Sequence, residues 1–296
     1  MRSSMPRTDP PAGPPLRVPR PAWEQRTPER IRAHYEIERE LADRLRGATA
    51  RERGALYSEV YNELFRRVPD HPQLVSQAGE ARRRERIAEQ RRVLQPFLRP
   101  DTTFLELGAG DCALSLALAP GIARAIALDV SDAIAGRRDA PANFSLVISD
   151  GQTVPVPAGC VTVAYSNQLM EHLHPDDAAA QLASIRAALA PGGLYLCITP
   201  NRLTGPHDVS AYFDDAATGF HLKEYTIAEL ARLMRAAGFR RVRVLAGARG
   251  RFALVPAWIL AALESSLWAI PPALRRRLTR TRLVGALVQP RIVAWR

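Results

Sequence analysis

From residue 103 onward short apolar runs alternate with helical ones, and that alternation constrains the fold more than any other feature of the chain. Runs rich in Val, Ile and Leu read as strands over 103–107, 123–128, 144–148, 161–166, 193–199, 241–245 and 291–296. Helical patterns fit between them at 113–119, 175–189 and 227–237. Strands of this kind, separated by helices, predict a mainly parallel sheet covered on both faces. In such sheets ligands lie beyond the carboxyl ends of the strands, so each strand's exit is where chemistry is expected.

The first strand exits into Gly108-Ala109-Gly110 and opens a helix. Glycine takes positive φ without strain and lets bare backbone approach a ligand. The second strand ends in Asp129, nineteen residues after Gly110, where a carboxylate can accept both hydroxyls of a ribose. The third runs into Asp150-Gly151, where a carboxylate could meet an adenine amine and the backbone could approach the ring; a plain Asp-Gly turn is the alternative. The fourth exits into Ser166-Asn167-Gln168-Leu169-Met170-Glu171-His172-Leu173-His174, a dense set of amide and ionisable side chains. His172 and His174 lack the His-Glu-x-x-His spacing of a zinc helix and no cysteine ligand is near, so no metal is expected.

Taken together these parts resemble a class I S-adenosylmethionine-dependent methyltransferase of the broad type that includes small-molecule and quinone methyltransferases. The resemblance rests on Leu105-Glu106-Leu107-Gly108-Ala109-Gly110, Asp129, Asp150, Asn167 to Leu173, and Leu189-Ala190-Pro191-Gly192-Gly193-Leu194-Tyr195-Leu196, and covers about 96–245. It implies a Rossmann-like seven-stranded sheet, mainly parallel, with 291–296 as a last antiparallel strand. It also implies S-adenosyl-L-methionine as cofactor, lying across Gly108, Gly110, Asp129, Asp150, Gly151 and Asn167. Glu106, beneath the glycine turn, would hold the loop or meet the methionine amine. A dinucleotide fingerprint fits less well, because Ala113 stands where its third glycine belongs.

The rest of the chain is read around that domain, 99–296. Residues 1–22 are proline-rich and expected to be disordered. Residues 23–98 carry helical patterns, with Thr27-Pro28-Glu29 as a start signal, and form an extension that packs over the core or acts as a lid. Polar loops at 199–208 and 219–226 bring His207 and His221 to the same edge as His172. Any of the three histidines suits the proton removal that methylation of a hydroxyl requires. Between the last two strands, 247–290 is expected to be an amphipathic helical insertion, and 252–277 either packs inward or touches a membrane.

The acceptor expected is a small molecule or glycan. The formal net charge of +11 raises RNA as a partner, but 40 of the 41 basic residues are arginine, the sole lysine being Lys223, which looks like coding bias. Nucleic acid is therefore not expected. An RNA or protein methyltransferase, or a cofactor-binding scaffold without turnover, are the rival readings. Three scattered cysteines, no apolar signal segment and no run of spanning length point to a cytoplasmic protein, with membrane association open through the insertion.

Overall fold

The computed structural model describes residues 16–74, 79–131, 140–248, 251–279 and 281–296. Helix α1 (Pro28–Gly47) starts where the sequence signals it, with the Thr27 hydroxyl accepting from the Arg30 N–H. Helix α2 (Ala50–Arg67) opens on a reciprocal capping box between Thr49 and Glu52. Helix α3 (Glu80–Leu94) tightens into a 3-10 turn at Gln95–Phe97. Arg17 in the expected tail is held in place, its N–H donating to the Tyr212 carbonyl at 2.8 Å. Of that tail, 1–15 lie outside the described residues.

Strands β1 (Thr103–Leu107), β2 (Arg124–Asp129), β3 (Phe144–Ile148), β4 (Val161–Asn167) and β5 (Leu189–Ile198) are all mutually parallel where paired. They alternate with α4 (Ala113–Leu118) and α5 (Pro175–Ala188). Helix α6 (Ile227–Ala236), opened by a capping box between Thr226 and Glu229, precedes β6 (Arg241–Ala248). The chain ends in β8 (Arg291–Trp295), which pairs antiparallel to both β5 and β6.

The strand order is β3-β2-β1-β4-β5-β8-β6-β7, eight strands among the described residues in place of the seven expected. The addition is β7 (Arg251–Pro256), an antiparallel edge partner of β6, so the insertion starts as a strand and not as a helix. Its physical reason is the free edge of β6: a hairpin pairs those backbone groups, and Pro256, with no N–H, closes the strand. Helices α7 (Ala257–Trp268), α8 (Pro272–Thr279) and α9 (Arg282–Val288) complete the insertion.

The period-two alternation of the strands divides the core. Leu105, Leu107, Tyr195 and Cys197 face a cluster with Leu41 and Leu45 of α1, Tyr57, Val60 and Leu64 of α2, and residues of α5, α6 and α7. Phe104, Leu194 and Leu196 face the opposite cluster with Val93 and Leu94 of α3 and Leu114 and Leu118 of α4. The N-terminal helices therefore share the sheet's own core. Helix α2 thereby comes to lie over the carboxyl ends of β1 and β2.

Candidate functional site

The glycine turn after β1 is bound to the end of β2, with the Gly108 and Ala109 N–H groups donating to the Leu128 carbonyl at 2.9 and 3.1 Å. Gly108 and Gly110 both have positive φ, +67° and +52°. A Cβ on Gly108 would stand 3.2 Å from Leu169 Cδ1, so a side chain there would crowd Leu169 as well as strain the backbone. Asp129 accepts from the N–H groups of Gly110 at 2.7 Å, Val130 at 2.8 Å and Ser131 at 3.2 Å. Burial raises its pKa although those three donors pull it down. A carboxylate has about four acceptor positions, so one remains for a ligand in the cleft that Asp129 lines.

Glu106 points beneath the turn and not into the cleft. Its carboxylate accepts from the Ser115 N–H at 3.1 Å and hydroxyl at 2.6 Å, fixing the first turn of α4, and burial pushes its pKa up to about 7. These are the contacts of a loop-holding residue. Asp111 is gripped from α3 by Arg83 and Arg86, each at 3.1 Å, which gives part of the arginine run of that helix a structural use.

Beyond β3 the expected pair divides. Asp150 Oδ1 accepts from the Gln152 and Thr153 N–H groups at 2.9 and 2.7 Å, which is the plain turn considered as the alternative. Gly151, at φ +79°, lines the cleft, and a Cβ there would sit 3.0 Å from Tyr57 Cδ2. At the exit of β4, Asn167 faces the opposite side of the sheet, in a cavity with Tyr165, Ile198 and Arg291. The strand ends there: Gln168 turns the chain at φ +58°, and both Gln168 and Leu169 line the cleft instead.

The cleft's roof was not singled out from sequence. Tyr57, Tyr61 and Phe65 recur every four residues along α2 and line the cleft, beside the Leu56, Val60, Leu64 stripe. Two apolar stripes on one helix signal two buried faces, and that signal was available. Tyr57 is anchored: its hydroxyl donates to Asp177 at 2.8 Å and accepts from the His174 N–H at 2.9 Å. Arg53 holds the same carboxylate from both sides, at 2.5 and 2.8 Å.

Next to the cleft lies a second cavity of about 450 Å³, lined by all three candidate histidines together with Trp23, Arg26, Glu38, Asp208 and Phe220. Tyr61, Gln73 and His172 line both spaces and form their common wall. His172 Nδ1 lies 3.0 Å from the Phe220 carbonyl; since a carbonyl only accepts, Nδ1 carries the proton, and Nε2 makes no hydrogen bond among the described residues. Burial, with the neighbouring His221 adding to it, pulls the His172 pKa down to about 3, so the ring is neutral.

His221 is different. Its ring lies edge-on to His172 with centroids 4.9 Å apart, and Nδ1 meets Glu224 Oε1 at 2.8 Å. Burial pulls its pKa down, but Glu224, Glu171 and Asp208 outweigh burial and raise it. His207 donates its backbone N–H to the same Glu224 oxygen at 2.7 Å, while its Nε2 is taken up by Thr204 and the Asn201 carbonyl at 2.8 and 3.2 Å. Asp208 accepts from the Gly219 and His221 N–H groups at 3.0 and 3.2 Å and ties the two polar loops together.

Among the described residues, two clusters have the donor types of a metal site. In the first, His34 and His71 each present Nε2 to Glu38, at 2.8 and 3.4 Å, while their Nδ1 atoms face N–H donors of Arg26 and Gln73. Those donors fix both protons on Nε2, so the cluster is a closed hydrogen-bond network around a carboxylate whose pKa is lowered: burial would raise it, but the two imidazoles prevail. In the second, ligand atoms of Glu171, His172 and His221 lie within 4.8 Å of one another. Glu171 Oε2 accepts from the Thr199 hydroxyl at 2.8 Å, and Oε1 is buried without a hydrogen-bond partner. Burial pushes the Glu171 pKa up to about 7, while the nearby His221 opposes that rise.

A family model described as a methyltransferase domain matches residues 62–244, more than half of the chain. A probable S-adenosylmethionine-dependent methyltransferase of Mycolicibacterium smegmatis is 32% identical over 136 residues, 46% of this chain and 51% of that relative. The match thus spans about half the length of that curated relative. Among solved structures, a SAM dependent methyltransferase from Archaeoglobus fulgidus is similar at TM-score 0.46 and 17% identity, over 72% of this chain and 94% of that one. A putative methyltransferase in complex with the Haloferax volcanii Trm112 activator is similar at TM-score 0.46 and 19% identity, over 56% and 77%.

Proposed function

Because the chain belongs to the class I S-adenosylmethionine-dependent methyltransferases, whose cofactor is S-adenosylmethionine, we propose that it methylates a hydroxyl of a small molecule, a saccharide or a lipid-linked glycan held in the histidine-lined cavity. The observation that carries this reading is the common wall: Tyr61, Gln73 and His172 bound both the cleft and the cavity, so an acceptor and a cofactor would meet there.

The residues of the cleft fit the cofactor. Gly108 and Gly110 leave backbone bare, Asp129 keeps acceptor capacity for ribose hydroxyls, and Val130, Gly151 and Tyr57 line an apolar slot suited to adenine. The rings of Tyr61 and Phe65 suit a cationic sulfur. When bound, S-adenosylmethionine supplies a methyl group already activated on its sulfonium. What remains for the protein is alignment and removal of one proton.

His221 is the residue best arranged to remove it. Glu224 orients the ring through Nδ1, which leaves Nε2 to take the hydroxyl proton and the carboxylate to stabilise the imidazolium that forms. Neutral His172 accepts a hydrogen bond and positions the acceptor. His207 stiffens the loop. Glu24, Glu38 and Asp208 beside Arg26 form an acidic lining that disfavours a phosphate chain and suits a polyol, and Trp23, 60% exposed at the same cavity, offers a ring face to a sugar.

Calorimetry with S-adenosylmethionine and its demethylated product, followed by mass spectrometry of a panel of sugars, phenols and amines, tests the reading. Cofactor binding with mass gain on hydroxyl acceptors, lost in His221→Asn, is the expected result. Methylation of amines alone would overturn the hydroxyl assignment, and binding with no acceptor methylated would favour a scaffold.

A further inference from the structure

Helix α7 is built inside out. Its only charged residue, Glu264, is buried, accepting from Asn201 Nδ2 at 2.6 Å and from the Ile227 N–H at 2.9 Å. Its solvent side instead carries Trp258 (69% exposed), Ile259 (40%) and Trp268 (41%). Between them Ala262, Ser265, Ser266 and Ala269 are exposed, so the outward stripe bears no charge at all. The serine hydroxyls donate back into their own helix, to the carbonyls of Ala261 at 2.9 Å and Ala262 at 3.0 Å, and ask little of water. Leu254 on β7, Leu274 on α8 and Leu283 on α9 are exposed as well.

We propose that this face docks the protein on an anionic lipid surface, with α7 lying in the plane of the interface. The charge of the segment selects that partner. Residues 251–296 contain eight arginines and one acid, the buried Glu264. Exposed Arg251 and Arg277 have no exposed carboxylate from this segment to answer them. Arg275 lies with its guanidinium 4.4 Å over the Trp268 ring, which places a cation and an amphipathic ring together as at a headgroup boundary.

Other occupants fit less well. A nucleic acid would use the arginines but leave Trp258, Ile259 and Leu283 in water. A second copy would set arginine against arginine. At about 1.5 Å per residue α7 is roughly 18 Å long, short of the ~30 Å hydrocarbon core, so it rests on the surface and does not cross it. No helix among the described residues is long and apolar enough to cross a membrane. The inner side of α7 connects to the acceptor side: buried Leu267 packs with Leu203, whose loop continues to Pro206 and His207 of the histidine-lined cavity.

The test is co-sedimentation of the full chain with phosphatidylcholine vesicles and with equimolar phosphatidylcholine–phosphatidylglycerol vesicles, over a salt series. Binding to the anionic vesicles alone, weakened by salt and accompanied by a blue shift of tryptophan emission, is the expected outcome. Trp258→Ser with Trp268→Ser should weaken that binding at least tenfold, with the melting temperature and cofactor affinity unchanged. Arg275→Ser with Arg277→Ser should weaken it too and serves where the tryptophan variant misfolds. No binding to anionic vesicles, equal binding to both compositions, or full binding by the folded variants overturns the proposal. A stable dimer that the tryptophan substitutions dissolve, with no vesicle binding, assigns the face to a second copy instead.

Discussion

At the scale of single residues, the site depends on backbone freedom at Gly108 and on one shared carboxylate at Glu224. Gly108→Ala places a Cβ at φ +67° and against Leu169, which costs about 1–2 kcal/mol for the left-handed conformation alone. Calorimetry should show S-adenosylmethionine affinity reduced tenfold or more. Proton transfer is expected to follow His221, which Glu171, His172, Asp208 and Glu224 surround. Its pKa is raised, and only the neutral ring accepts a proton, so kcat/KM should rise with pH through an apparent value above the ordinary 6.5 of histidine. Glu224→Gln removes a carboxylate that favours the imidazolium, so the rise should move to lower pH while the maximum rate falls. The sign for stability is opposite: a raised histidine pKa stabilises the fold fully below the unfolded value, and that contribution is lost as pH climbs through the folded one. Sequence reading reached Gly108, Gly110, Asp129 and the three histidines, because strand exits are local. It could not separate Asn167 from Gln168, since which of two adjacent residues faces the cleft depends on where the strand ends. Nor could it find the Glu224 pairing, which depends on how two loops fold against each other.

At the scale of elements, α2 connects the extension to the chemistry. Arg53, Tyr57 and Asp177 form a buried, fully hydrogen-bonded set between α2 and α5. Removing one member of such a pair leaves a buried charge unpaired, at a cost of about 3–5 kcal/mol. Asp177→Ala should therefore lower the melting temperature markedly. Asp177→Asn, which keeps the volume, should unfold less readily than Asp177→Ala while loosening the roof and raising the cofactor's dissociation rate, read by stopped-flow fluorescence. The start of α1 at Thr27 was legible because capping chemistry is local, whereas the Thr49 cap of α2 was not singled out. The strand β7 was not, because Val255 and Trp258 belong to one apolar run in sequence but to a strand and a helix in the fold. What divides them is the free edge of β6, a long-range fact.

At the scale of the whole molecule, α1 and α2 of the extension share one core cluster with the sheet, and α3 shares the cluster on its opposite face. The family match begins at residue 62, inside α2. A chain shortened to begin there would lose α1, Tyr57 and the Arg53–Asp177 pair, and would expose the apolar surface that Leu41, Leu45 and Val60 cover. Such a fragment should elute as aggregate and fail to bind S-adenosylmethionine, whereas removing residues 1–15 should leave binding intact; size-exclusion chromatography and calorimetry distinguish the two. The roof of α2 carries one more consequence, in time. Tyr57 lines the cleft and is bolted to Asp177, so loosening that bolt is expected to quicken release of the spent methyl donor. Where that release paces turnover, a rapid-quench experiment should record one fast methylation per molecule followed by a slower steady rate, with the slow phase hastened in Asp177→Asn.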